Sequence, residues 1–138
     1  MTTIDGAPGE STQPRRVLLV DDSVDAAEAM SMLLETLGHE VRVVHDGPSA
    51  LAIVDDFAPE VVILDIGLPG MSGFDVAREL RMRAVTKTAL LIALTGYGAD
   101  SDKQEARDAG FDHHLVKPVS FTVIETVIAA SFSGDQKS

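Results

Sequence analysis

Five short apolar stretches punctuate the chain, at 17–20, 41–44, 61–64, 89–94 and 111–116. They are near-continuous and lack period-two alternation, the pattern of parallel strands covered on both faces. Helical spacings fill the intervals. Over 24–37, Met30, Leu33, Leu34 and Leu37 make an i, i+3, i+4, i+7 stripe, and Gly38 is the expected stop. A second helix is predicted from Gly47-Pro48, carrying Leu51, Ile53 and Val54. A third opens with the capping-box-like Ser72-Gly73-Phe74-Asp75 and runs to about Arg83. The fourth starts at Ser101-Asp102-Lys103-Gln104 and ends at Gly110. The fifth, about 120–132, is rich in Val, Ile and Thr, so it depends on packing and its end is expected to fray.

Five strand–helix units in series predict right-handed crossovers and a doubly wound α/β sandwich with a parallel sheet. Residues 1–14 and 133–138 are poor in large apolar side chains and are expected to be a flexible arm and tail around a domain spanning 15–132. In such folds ligands bind outside the carboxyl ends of the strands. The polar residues that end the apolar stretches are therefore the candidate chemistry.

An acid pair, Asp21-Asp22, ends the first stretch, Asp65 ends the third, and Lys117-Pro118 ends the last. Parallel strands would bring all four charges to one sheet edge. Carboxylates packed together repel unless a cation intervenes, and Mg²⁺ suits hard oxygen ligands while sharing its shell with water and phosphate. Ca²⁺ is less suited, because no ligand-dense loop is present. Asp65 leads into Ile66-Gly67-Leu68-Pro69-Gly70-Met71-Ser72-Gly73, a tight loop that would leave its carboxylate accessible as a nucleophile towards phosphorus. Thr95, followed by Gly96-Tyr97-Gly98, ends the fourth stretch with a hydroxyl able to donate to a phosphoryl oxygen. His113 and His114 are adjacent on a predicted strand and so point to opposite faces, which prevents them from chelating one ion.

Composition narrows the field. The 138 residues suffice for one domain with a substantial core, and 45% are hydrophobic. Acidic residues number 22 against 11 basic, a formal net charge of −11, which is unsuited to direct contact with nucleic acid. Cysteine is absent, which removes disulfides, thiolate metal sites and thiol nucleophiles. The apolar run 89–94 is far too short to cross a bilayer, and the first residues do not resemble a signal peptide. A soluble cytoplasmic protein with no membrane partner is expected.

Val-Asp-Asp (20–22), Leu-Asp-Ile-Gly-Leu-Pro-Gly-Met-Ser-Gly (64–73), Ala-Leu-Thr-Gly (93–96) and Lys-Pro (117–118), in this order, resemble the receiver domain of two-component response regulators. The resemblance runs from about Arg15 to Phe132 and implies strand order 2-1-3-4-5 in a flavodoxin-like sheet. It implies that Asp65 accepts a phosphoryl group from a histidine kinase or histidine phosphotransfer protein. It implies Mg²⁺ held by Asp21, Asp22, Asp65 and the backbone carbonyl of Gly67. Thr95 and Lys117 would grip the phosphoryl oxygens and shift the face formed by helix 4, strand 5 and helix 5. The start of helix 1 (Asp25, Ala26, Ala29) and the loop after Lys117 would receive the phosphodonor. The protein would then be a regulator that catalyses only its own phosphorylation and dephosphorylation. It would signal through a protein partner, or act as a phosphate relay or sink, with no output domain. It is also similar to receiver modules of hybrid histidine kinases.

Two positions depart from the family pattern. His114 stands where receivers often carry an aromatic switch residue, three positions before the lysine, and is expected to add pH dependence to signalling. Gly67 stands where many receivers have a larger side chain, so water should reach the acyl phosphate easily and the phosphorylated state should be short-lived. Rival functions fit less well. A haloacid-dehalogenase-like phosphatase would need a second acid at Gly67 and a cap insertion. A flavodoxin-like cofactor binder would need a phosphate-cradling loop where Asp21-Asp22 stands. A receiver-like scaffold that binds without phosphorylation is the remaining alternative.

Overall fold

The structure, a computed structural model, describes residues 13–96 and 100–136. The expected arm through residue 12, Tyr97, Gly98 and the last two residues lie outside the described residues. The elements, in chain order, are β1 (Arg16–Val20), α1 (Val24–Thr36), β2 (Glu40–Val44), α2 (Gly47–Phe57) and β3 (Val61–Asp65). They continue as α3 (Gly73–Met82), β4 (Leu90–Thr95), α4 (Asp100–Ala109), β5 (His113–Val116) and α5 (Phe121–Gln136). The five strands form one parallel sheet in the order β2-β1-β3-β4-β5, as the resemblance implied.

Both faces of the sheet are buried, which is why its strands read as unbroken apolar runs. Along β1, Leu18 and Val20 pack on one face while Val17 and Leu19 pack on the other. The first face carries α2, α3 and α4 through Ala50, Val54, Val76, Leu80 and Ala106. The second carries α1 and α5 through Ala27, Leu34, Ile124 and Ile128. Each fully buried Leu, Ile or Val contributes about 1.5–3 kcal/mol relative to exposure. Central strand β3, buried from Val61 to Asp65, is the most securely covered part of the frame.

Local chemistry sets the helix limits. Ser23, Asp46 and Ser72 cap α1, α2 and α3 by accepting from the backbone N–H groups of Ala26, Ser49 and Asp75. Ser120 does the same for α5 through Val123 N–H. The fourth helix starts at Asp100 and so takes in Ser101, and α5 continues past 132 to Gln136. Phe111 lies outside β5 but is buried in the core.

The α1 stripe does not pack as one unit. Leu34 is buried, but Leu33 and Leu37 are 45% and 40% exposed. The inward face runs instead through Ala27, Met30 and Leu34, because the small Ala27 lets the first turn of the helix lie close to the sheet. Leu33 is left facing the cleft described below.

Candidate phosphoacceptor and metal site

The carboxyl ends of β1, β3, β4 and β5 bring the predicted residues to one edge. Asp21 follows β1, Asp65 is the last residue of β3, Thr95 the last of β4, and Lys117 follows β5. Asp21, Asp65 and Thr95 are 4%, 6% and 3% exposed, whereas Asp22 faces solvent. One carboxylate oxygen from each of Asp21, Asp22 and Asp65 falls within 4.8 Å of the other two. Among the described residues this is the one group of three or more such side chains arranged to hold a metal ion. Its donors are hard oxygens, and one side is open to water, so the set fits Mg²⁺ better than a softer metal.

Lys117 balances part of this charge. Its Nζ donates to Asp65 Oδ2 at 2.5 Å and lies 3.9 Å from Asp21 Oδ2. Its backbone N–H donates to the Thr95 carbonyl at 2.7 Å, and the Lys117–Pro118 peptide is cis. Asp65 Oδ1 accepts from the Gly67 N–H at 2.8 Å, so both carboxylate oxygens have a fixed donor. Burial by itself would lower the Lys117 ammonium; the hydrogen bond to Asp65 and the charges of Asp65, Asp21 and Asp22 outweigh it and hold the group above its ordinary value of 10.5. Burial moves Asp21 the other way for an acid, above 3.8. The Ser23 N–H and Lys117 oppose this shift, while Asp65 and Asp22 reinforce it.

The loop after Asp65 is compressed against α3. A Cβ on Gly73 would lie 2.5 Å from Ile66 Cα and 2.8 Å from the Asp65 carbonyl oxygen, so only glycine allows α3 to begin there. Gly67 is different. A Cβ there would meet Asp65 Oδ1 at 3.4 Å, an ordinary contact, so a side chain at 67 would stand over the carboxylate.

Beside the acidic group a cleft of about 560 Å³ opens between α1 and the segment following β5. Ala26, Ala29, Met30 and Leu33 line one wall, Pro118, Val119 and Phe121 the other, and Asp21 and Lys117 reach its edge. Asp25, grouped with Ala26 and Ala29 at the sequence level, is exposed and does not line it. His114 is not part of this assembly. It pairs with Ala93 across β4 and β5 and lines a separate cavity of about 290 Å³ with His113, Lys103 and Arg107. Because side chains alternate along a strand, His114 shares its sheet face with Ala93 and Thr95.

His45 was missed. Its Nδ1 lies 2.8 Å from the Asp21 backbone carbonyl oxygen. The signal was present, since His45 directly follows the second apolar stretch, as Asp21 follows the first.

The chain belongs to the response regulator receiver domain family, whose pattern it matches over residues 17–129. It is 39% identical over 104 residues to the sensory transduction protein RegX3 of Mycobacterium tuberculosis, covering 75% of this chain and 44% of that protein. The chain thus spans about half the length of the curated relatives it matches first. In structure it resembles the chemotaxis response regulator CheY4 of Vibrio cholerae, with TM-score 0.79 and 31% identity over 84% of this chain and 97% of that one. It also resembles the receiver domain of sensor histidine kinase PA1611 from Pseudomonas aeruginosa PAO1, which holds a magnesium ion in its active-site cleft. There the TM-score is 0.76 and identity 25%, over 83% of this chain and 94% of that one. No helix among the described residues is long and apolar enough to cross a membrane.

Proposed function

We propose that this receiver domain takes a phosphoryl group onto Asp65 from a phosphohistidine of a histidine kinase or phosphotransfer protein. The observation that carries the proposal is the environment of Asp65, a buried carboxylate ending the central strand between two further acids and the Lys117 ammonium. In the transfer an Asp65 oxygen attacks phosphorus, a P–O bond forms, and the P–N bond breaks with its electron pair leaving on the donor imidazole. Asp21, Asp22, Asp65 and the Gly67 carbonyl would hold Mg²⁺, which when bound neutralises charge between the acids and the phosphoryl oxygens. The Asp65 carboxylate is already oriented by Gly67 N–H and Lys117, so the attacking group needs little rearrangement. Lys117 then turns from the carboxylate to a phosphoryl oxygen, and the Thr95 hydroxyl donates to another.

The apolar cleft between α1 and the segment after Lys117 would seat a helix of the phosphodonor, with Ala26 and Ala29 allowing close approach and the exposed Asp25, outside the cleft, meeting the donor's surface. His114 would report the phosphorylated state to the face formed by α4, β5 and α5, and its imidazole would make that report depend on pH. Downstream action would be altered protein binding, or relay and storage of the phosphoryl group, in the cytoplasm and without DNA contact.

Beryllofluoride, a stable phosphoryl mimic, tests the site directly. With Mg²⁺ present it should give resolved ¹⁹F resonances of bound fluoride in the parent and none in Asp65→Asn. Equal signals in both proteins, or none in either, would favour a scaffold that binds partners without phosphorylation.

A further inference from the structure

We infer that His45 is a positioning residue for the acidic cradle, acting through the backbone of Asp21. The inference rests on the assignment of Asp21 and Asp22 as metal-holding residues. Strands β1 and β2 are paired in register up to Val20 and Val44, so the next residues, Asp21 and His45, emerge side by side. There the His45 Nδ1 meets the Asp21 carbonyl oxygen at 2.8 Å. A carbonyl only accepts, so Nδ1 carries the proton and donates.

This contact completes the restraint of Asp21. Its N–H donates to the Val44 carbonyl at 3.1 Å, and its Oδ1 accepts from the Ser23 N–H at 2.9 Å. The His45 bond closes the remaining freedom, the plane of the peptide that joins Asp21 to Asp22. Asp22 is exposed, so the orientation of the peptide that carries it helps set whether its carboxylate reaches the other two. His45 itself stands on a fixed base. Asp46 beside it caps α2 through Ser49 N–H, and a Cβ on the following Gly47 would lie 2.9 Å from Val76 Cγ2. The turn is therefore wedged against α3, and a donor mounted on it has a defined direction.

The test is Mg²⁺ binding to the full chain by isothermal titration calorimetry, with Mg²⁺ alone as the ligand. His45→Ala should raise the dissociation constant roughly 2- to 10-fold, the scale of one net hydrogen bond. His45→Asn, whose side-chain amide places an N–H donor at the same distance from the backbone as Nδ1, should restore binding close to the parent. The metal-free thermal midpoint of both variants should stay near the parent's, which separates positioning from a loss of fold. Parent-like affinity in His45→Ala, or equal loss in both variants, would overturn the inference. Absence of Mg²⁺ binding by the parent would overturn the metal assignment and this inference with it.

Discussion

Lys117 Nζ donates to Asp65 Oδ2 at 2.5 Å across 52 positions of sequence. The contact exists because β3 and β5 flank β4 in a parallel sheet, so their carboxyl ends open on the same edge. It ties the most buried strand of the frame to the last one, and under the proposed function it is the bond that phosphorylation would exchange.

Replacing Lys117 by Met should leave Asp65 buried beside two other acids without its cation. The metal-free protein should lose roughly 1–2 kcal/mol of stability, less than a fully buried pair would, because solvent screens a partly exposed ammonium. The folded-state value of Lys117 is raised, so the stabilisation is fully present below 10.5 and is lost as pH rises through the higher folded value. Denaturant unfolding of parent and variant along an alkaline series should show the gap closing only above 10.5.

Asp21 has the opposite sign. A carboxyl raised on folding keeps its proton longer in the native state, so its contribution falls as pH rises from 3.8 through the folded value and is unfavourable at neutral pH. Asp21→Asn keeps an acceptor for Ser23 N–H but removes the charge. It should raise the metal-free thermal midpoint at neutral pH. It should also weaken Mg²⁺ binding by at least about tenfold, the scale already reached when only an outer partner of a metal ligand is lost.

A Cβ at Gly67 would stand 3.4 Å from Asp65 Oδ1, and the backbone there can accept a side chain without strain. Gly67→Asn should prolong the phosphorylated state. The expected change is on the order of two- to tenfold in lifetime, since about 1.4 kcal/mol of barrier is a factor of ten. The decay of the phosphorylated mass after removal of donor measures it, and an unchanged rate would refute the water-access account.

Ala26→Trp and Ala29→Trp should fill the cleft beside α1 while keeping every side chain of the acidic group at its edge. Transfer from a phosphorylated histidine donor should fall by about tenfold or more, the cost of roughly 1.4 kcal/mol of lost docking. Acceptance from acetyl phosphate, which needs no docking helix, should be unchanged.

Much of this arrangement was legible because burial on both faces writes strands as apolar runs, and the site residues are the polar groups that terminate those runs. Asp21, Asp65, Thr95 and Lys117 all announce themselves in this way. What was less legible depends on distances between elements. The stripe on α1 reads as one packed face, yet Leu33 turns to the cleft because Ala27 sets how closely the helix approaches the sheet. The role of Gly73 follows from contact with Ile66, which its surroundings in sequence do not reveal. His45 ends its apolar run as the acids end theirs, but its contact with the Asp21 carbonyl depends on the lateral register of β1 and β2, which neither strand's own sequence contains.

The central claim is that Asp65 is a phosphoacceptor, and intact mass measures it most directly. After incubation with acetyl phosphate and Mg²⁺, the parent should gain the mass of one phosphoryl group. Asp65→Asn, and the parent without Mg²⁺, should gain none. An unmodified parent, in a rapid-quench series fast enough to catch a short-lived adduct, would contradict the account, as would an equal gain in Asp65→Asn.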